Sequence, residues 1–527
     1  VGVPDPVRRL DSYPFELSGG LRQRMMIAMA LAGEPHLLIA DEPTTALDVT
    51  IQAQVLDVLR RLKAERGMGM LLITHDLGVV AENADRVGVM YAGELLEEGK
   101  RADFFATPQH PYSRMLFEAI PRAGGNGRLA TLPGQVPKLT EQLHGCRFAP
   151  RCPHAAQRCR QESPGWQTIG NQRVRCHFAG QLGDALPQAA GEPVTSQPAM
   201  PAADLLRVDR LAVHFPIRRG LFQRTVGHVR AVDGVSFSIP AGHTLALVGE
   251  SGCGKTTVGK ALLRLVEPTA GTVQLAAEML TERNLASLRR QAQMVFQDPY
   301  SSLNPRMRVA DILLEGMDAL KVGATAQRRD AVARLLKQVG LPDDAGGRYP
   351  HAFSGGQRQR IAIARALAVA PRLVICDEPT SALDVSVQAQ ILNLLKDLQA
   401  ELGLAYLFIT HNLAVVEYLA HEVAVMYLGR IVETGPAAEI LRAPRHPYTQ
   451  ALIAAVPRLD GGMGHKTYLA GDQPSPLNPP SGCHFHPRCP HASAVCRQHY
   501  PEATQLGTQH RVHCHWVAGQ PVQSPAA

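Results

Sequence analysis

Residues 246–257 read ALVGESGCGKTT, and this short run decides the fold. Gly249, Gly254, Lys255 and Thr256 fit the spacing G-x-x-x-x-G-K-[ST]. Glycines let backbone N–H groups close around phosphate oxygens, and the N-terminus of a following helix adds a favourable dipole. The flanks agree. TLALV (244–248) predicts a buried strand before the loop, and TTVGKALLRLV (256–266) a helix after it. Gly249, Glu250, Ser251, Gly252, Cys253, Gly254, Lys255, Thr256 and Thr257 are the expected phosphate-binding segment. Lys255 would reach the β- and γ-phosphates and Thr256 would hold Mg²⁺.

Working outward, RLVICDEPTSALD (372–384) reads as an apolar strand ending in an acidic pair. Asp377 suits Mg²⁺ through water, and Glu378 suits a general base on an attacking water. This region has a twin. Ser18 pairs with Ser354, Asp41 with Asp377, His75 with His411 and His110 with His446, always 336 residues apart. A gapless repeat of this length means two copies of one domain. In the first copy Ile51, Val55, Leu59 and Leu62 recur at helical spacing before the strand-like MLLIT. Helix alternating with strand implies an α/β fold with a largely parallel sheet.

FSGGQRQRIAIARAL (353–367), upstream of the acidic strand, resembles the signature of ATP-binding-cassette ATPases. That resemblance implies further roles. Ser354, Gly355 and Gly356 would start a helix facing the γ-phosphate of ATP held by the opposite domain. Gln297, in MVFQDPYSSLNP, fits the loop that senses nucleotide, helps hold Mg²⁺ and contacts a membrane partner. His411, in LFITHNL, fits the switch histidine at the γ-phosphate, and Asp384 the loop crossing the domain interface. Phe215 is the candidate for stacking on adenine. The first copy offers Ser18, Gly19 and Gly20 as signature, Asp41 and Glu42 as acidic pair, Asp48 as interface loop and His75 as switch. One composite site is expected from Lys255, Thr256, Asp377, Glu378 and His411 with Ser18 and Gly20 opposite. A phosphate loop matching residue 249 would lie at 249 − 336 = −87. The expectation is therefore a first copy whose other half precedes Val1, in a longer natural protein. A degenerate domain is disfavoured because ADEPTTALD keeps its glutamate.

Both copies end alike. ATPQHPYSRMLFEAIPR is followed by GCRFAPRCPH, and RAPRHPYTQALIAAVPR by GCHFHPRCPH. These tails resemble the His-Pro-Tyr C-terminal extension of dipeptide and oligopeptide importer ATPases, a family that also includes importers of nickel and glutathione. Each tail carries four cysteines: Cys146, Cys152, Cys159 and Cys176, then Cys483, Cys489, Cys496 and Cys514. In a reducing compartment such quartets suggest a metal centre rather than disulfides. A [4Fe–4S] cluster, zinc and no metal all stay open. Cys253 and Cys376 lie inside nucleotide motifs and read as small buried residues.

The expected organisation is thus two P-loop cassettes, each followed by a Cys-rich extension. Residues 1–105 are the later part of the first cassette and 106–180 its extension. Residues 181–205 form an Ala/Pro/Gly-rich linker. Residues 206–442 are a complete second cassette, 443–517 its extension and 518–527 a tail. A net charge of +7 over 527 residues is mild, and no basic stripe marks a nucleic-acid surface. No apolar run approaches the ~18 residues that span a bilayer. The resemblance implies an ATP- and Mg²⁺-dependent energy-coupling ATPase, peripheral on the cytoplasmic face of the inner membrane. Its implied partners are two transmembrane permease subunits and an extracytoplasmic solute-binding protein, with its own two cassettes dimerising intramolecularly. A soluble tandem ATPase acting on ribosomes or nucleic acid, and a metal- or redox-sensing module, are the readings from other classes.

Overall fold

The structure is a computed structural model. It describes every residue except 4–5, 18, 45–46, 122–126, 138–139, 141–143, 182–203, 220–221, 223, 382, 458, 460–470, 472, 508 and 520–527. The expected linker falls almost wholly outside the described residues, as do Ser18 and most of the tail.

The second copy is built on an eight-stranded sheet in the order Ala292–Val295, Leu373–Asp377, Ala405–Ile409, Thr244–Val248, Glu422–Tyr427, Arg430–Pro436, Arg511–His513 and Ala503–Gln505. The first five strands run parallel and the last three antiparallel. Parallel strands are covered on both faces, so they read as continuous apolar runs. Leu373 and Ile375 pack into one core cluster, Val374 and Cys376 into the other. One face carries an antiparallel sheet dominated by the long hairpin Asp204–Arg219 and Arg224–Pro240. The other carries helices, among them Gly355–Leu367 and Val385–Leu402.

The phosphate-loop strand occupies the expected Thr244–Val248, but its helix runs only over Lys255–Leu262. It stops short of residue 266 because Arg264 turns into the left-handed region at φ 47°.

In the first copy the equivalent sheet is divided. Among the described residues Leu37–Asp41 pairs only with Gly69–Ile73, while Arg86–Tyr91 and Glu94–Lys100 join Gln172–Val174 and Gln167–Ile169 in a separate sheet. In the second copy the phosphate-loop strand bridges the corresponding elements. The division leaves a face uncovered. Leu37, Ile39, Leu71 and Ile73 are 57, 61, 51 and 44 % exposed, whereas their repeat partners Leu373, Ile375, Leu407 and Ile409 are each 0 % exposed. The loop helix covers those partners: a Cβ on Gly259 would stand 3.0 Å from Ile375 and 3.2 Å from Ile409. No helix among the described residues is long and apolar enough to cross a membrane.

The extensions continue the cassettes. Arg511–His513 pairs with Arg430–Pro436, as Gln172–Val174 does with Glu94–Lys100. The His-Pro-Tyr run has a local physical logic. His446 caps the helix Pro447–Ala454, its Nδ1 accepting from the Tyr448 N–H at 3.0 Å, and Pro447 takes the first position, where its missing N–H costs nothing. His110 and Pro111 repeat this on the helix Pro111–Glu118. A buried glutamate closes each motif from behind: Glu433 accepts from the N–H groups of Arg445 and His446, Glu97 from those of Gln109 and His110.

Candidate functional site

Four adjacent parallel strands deliver the chemistry at one edge. Gln297 follows Ala292–Val295, Asp377 and Glu378 end Leu373–Asp377, His411 follows Ala405–Ile409, and Gly249 follows Thr244–Val248. This carboxyl edge is where open α/β sheets hold ligands.

The loop itself demands glycine. Gly249 has φ 151° and Gly254 φ 109°; Cβ atoms there would sit 2.1 Å from the Met426 carbonyl oxygen and 2.0 Å from that of Ala231. Lys255 Nζ donates to the carbonyls of Gly249 (2.7 Å) and Glu250 (3.0 Å), which centres its charge in the loop. Cys253 and Cys376 are wholly buried.

The Thr256 hydroxyl donates to Asp377 Oδ1 at 3.0 Å. A hydroxyl and a carboxylate converging beside the phosphate loop form a hard-oxygen pair that fits Mg²⁺. Burial pushes the Asp377 carboxyl up, the Thr256 hydrogen bond opposing it. Glu378 Oε1 lies 3.0 Å from His411 Nδ1, and its Oε2 accepts from Gln297 Nε2 at 2.9 Å. Burial pushes Glu378 up, but His411, Lys255 and Gln297 together outweigh it and hold the carboxyl below its usual range. It is ionised at neutral pH, as a base must be.

The first copy reaches this site through its interface loop. Asp48 Oδ2 accepts from the Ser251 N–H at 3.2 Å. The Thr50 hydroxyl lies 2.6 Å from Asp48 Oδ1 and 2.5 Å from Glu250 Oε1, its one proton serving one of them. Gly19 and Gly20 open the helix Gly19–Leu31, and Gly20 packs so tightly on Ile51 that a Cβ would come within 2.6 Å. The signature helix thus stacks on the helix whose cap touches the phosphate loop. In the second copy Ser354 caps Gly355–Leu367, its hydroxyl accepting from the Gln357 N–H (3.4 Å) while Gln357 Oε1 accepts from the Ser354 N–H (3.0 Å). Ser354, Gly355, Gly356 and Asp384 line a cavity whose far wall is residues 131–136 and Arg151 of the first extension. That wall is pinned by Arg128, which forks onto Asp397 with both contacts at 2.7 Å. Glu42 and His75 share a further cavity with His411 and Thr380. Phe215 lies on the long hairpin opposite Val229 and is 40 % exposed.

Cys146, Cys152, Cys159 and Cys176 line one cavity, but among the described residues no group of three or more His, Cys, Asp or Glu side chains stands where it could hold a metal ion. The second quartet, Cys483, Cys489, Cys496 and Cys514, is equally outside such a geometry. Burial, with neighbouring sulfurs adding to it, pushes the Cys152 thiol up to about 12 and those of Cys176 and Cys483 up to about 11. The cavity beside the first quartet is shared with His110, Phe148, His154 and Phe178.

Glu250 was legible only as one loop residue. Its carboxylate forms a two-contact ion pair with Arg488 (2.7 and 3.1 Å), and its N–H donates to the Tyr448 hydroxyl at 2.8 Å. The repetition of Tyr112 and Arg151 in the first extension was the available signal.

Compared with known proteins, the chain matches the family described as "ABC transporter" over residues 1–45 and 232–381. It matches "Oligopeptide/dipeptide transporter, C-terminal region" over 96–159 and 432–496. It is 45 % identical over 486 residues to the glutathione import ATP-binding protein GsiA of Escherichia coli K12, covering 91 % of this chain and 70 % of that protein. The GsiA of Pectobacterium atrosepticum is 45 % identical over 482 residues, covering 90 % and 70 %. Among solved structures, cbiO1 of Clostridium perfringens, part of the ABC transporter complex cbiONQ, aligns at 27 % identity with TM-score 0.39, over 46 % of this chain and 91 % of that one.

Proposed function

The chain belongs to the ABC-transporter ATP-binding proteins that carry the oligopeptide/dipeptide C-terminal region, and from that premise we propose that it is the fused, two-cassette energy-coupling ATPase of an importer for short peptides. Glutathione, which the similar proteins are named for importing, is itself a tripeptide and falls within this class. Its ATPase activity coupled to import is the family's activity.

The observation that carries the site assignment is the setting of Glu378. It lies between His411 and Gln297, next to the Thr256–Asp377 pair and on the same sheet edge as the phosphate loop. In this reading Lys255 and the loop N–H groups hold the phosphates. Thr256 and Asp377, with Gln297 near by, hold Mg²⁺, which when bound neutralises phosphate charge. Glu378 takes a proton from water as that water attacks the γ-phosphorus, the β–γ bridging oxygen leaving with ADP. His411 fixes the carboxylate and Gln297 reports its position to a membrane partner.

Asp48 and Thr50 on the second copy's loop support an intramolecular pairing of the cassettes. Phe215, Ser18, Gly20 and the Ser354–Gly356 signature keep their expected nucleotide roles within the reading. Two permease subunits and an external solute-binding protein complete the importer, with this chain peripheral on the cytoplasmic face. Iron and zinc analysis of the purified protein tests the cysteine quartets, through which no step passes. The function is tested by uptake of labelled glutathione and dipeptides into cells carrying the complete importer with parent or Glu378→Gln chain. Uptake lost in the variant supports the reading, and equal uptake overturns it.

A further inference from the structure

The phosphate loop is held by more than its own sheet and helix. Here three outside side chains converge on Glu250, its second residue. Arg488, from the extension, makes the two-contact pair, and both side chains are only 3 % exposed. Tyr448, wholly buried, accepts from the Glu250 N–H at 2.8 Å. Thr50, from the first copy, stands 2.5 Å from the same carboxylate. A buried ion pair is a costly way to gain stability, since each charge gives up its water. What it supplies is a fixed position.

The supports of these side chains are fixed too. Arg488 closes the short turn His486–Arg488, and Tyr448 sits in the first turn of the helix that His446 caps. Tyr448, Tyr427 and Phe485 form one aromatic cluster, with Tyr427 4.7 Å from Tyr448 and 5.3 Å from Phe485. The first copy repeats the cluster with Tyr112, Tyr91 and Phe148, at 4.9 and 5.3 Å. The arrangement is therefore a built element of the repeat.

We propose that Arg488 and Tyr448 are positioning residues for ATP binding: the extension sets the phosphate loop through Glu250, and the first cassette joins the same carboxylate through Thr50. Glu250 N–H, tied to Tyr448, is drawn toward the extension. The Cys253 N–H in turn donates to the Glu250 carbonyl at 3.2 Å, so the loop closes on the residue that the extension holds. The Cys-rich extension is thus part of the nucleotide site's framework. A loop held in its binding shape serves ground state and transition state equally, so its loosening raises KM and spares kcat.

This inference rests on the reading that residues 249–257 hold ATP. The experiment measures ATPase kcat and KM, and melting temperature, for the full chain and three variants. Tyr448→Phe removes only the hydroxyl. Glu250→Gln with Arg488→Met removes both charges together, so that no buried charge is left unpaired. Lys255→Ala is the control for the reading itself. Loss of one net hydrogen bond predicts a KM for ATP raised about 3- to 10-fold in Tyr448→Phe, with kcat within about twofold, and a larger rise in KM in the double variant. A lowered melting temperature with unchanged KM in both variants means a merely structural contact and overturns the inference. If Lys255→Ala retains the parent kcat and KM, the underlying reading fails instead.

Discussion

Glu378 Oε1 stands 3.0 Å from His411 Nδ1, and the same pair recurs in the first copy, where Glu42 Oε1 lies 2.8 Å from His75 Nδ1. Sheet topology explains the recurrence. Each glutamate ends one strand and each histidine follows its parallel neighbour, so pairing two strands in register brings the two side chains together. The chemistry is set by strand order before any ligand arrives.

Glu378→Gln should abolish turnover while leaving nucleotide binding intact, because the amide keeps the shape of the carboxylate but not its basicity. A loss of about 10²- to 10⁴-fold is expected for a general base. Steady-state phosphate release with a parallel binding titration checks it, and undiminished hydrolysis would remove Glu378 from its role.

His411→Ala should move the acid limb of the kcat–pH profile upward. His411 is the foremost of the partners that hold the Glu378 carboxyl down against burial. Without it burial dominates, the carboxyl binds its proton at higher pH, and the ionised base is lost sooner on acidification. A profile that falls in height but keeps its acid limb would mean the histidine does not tune Glu378.

Acid should destabilise the extensions at a pH set by their capping histidines. Burial pushes His446 down to about 4 and His110 down to about 3. An unfolded histidine, near 6.5, binds a proton that these refuse. Stability present above that pH is therefore lost as it falls toward 4, by up to about 1.4 kcal/mol per pH unit for each histidine. Urea midpoints between about pH 7 and pH 4.5 check the slope. His446→Asn, which keeps a capping acceptor, should flatten part of it.

Matching sheet positions of the two copies should respond unequally to the same substitution. Ile375→Ala, in the packed sheet, should cost about 2–5 kcal/mol. Ile39→Ala, at the matching but exposed position, should stay within about 0.5 kcal/mol. Denaturant melts of the two variants decide, and equal costs would mean that Ile39 is covered in solution.

Much of this was legible in the residues. The apolar run ending in Asp377 and Glu378 read as a strand end, the family resemblance singled out His411, and the glycine pattern marked the loop, because a phosphate cradle tolerates no Cβ at Gly249 or Gly254. What stayed hidden was long-range. Glu250 read only as one residue of the phosphate-binding segment, since nothing local says that Arg488, 238 residues on, is its partner. The cysteine quartets stayed open, since spacing along a chain does not fix how four sulfurs are aimed.

The pairing of Arg511–His513 with Arg430–Pro436 bears on how such proteins can be rearranged. A cassette cut from its extension would keep its nucleotide motifs but lose a sheet neighbour along Arg430–Pro436, together with the guanidinium and hydroxyl that grip its loop. An edge strand stripped in this way invites pairing with other chains. Cassette and extension therefore form a single unit of inheritance: an exchange between related importers that carried one without the other would deliver a protein with an adhesive flank and a slack loop.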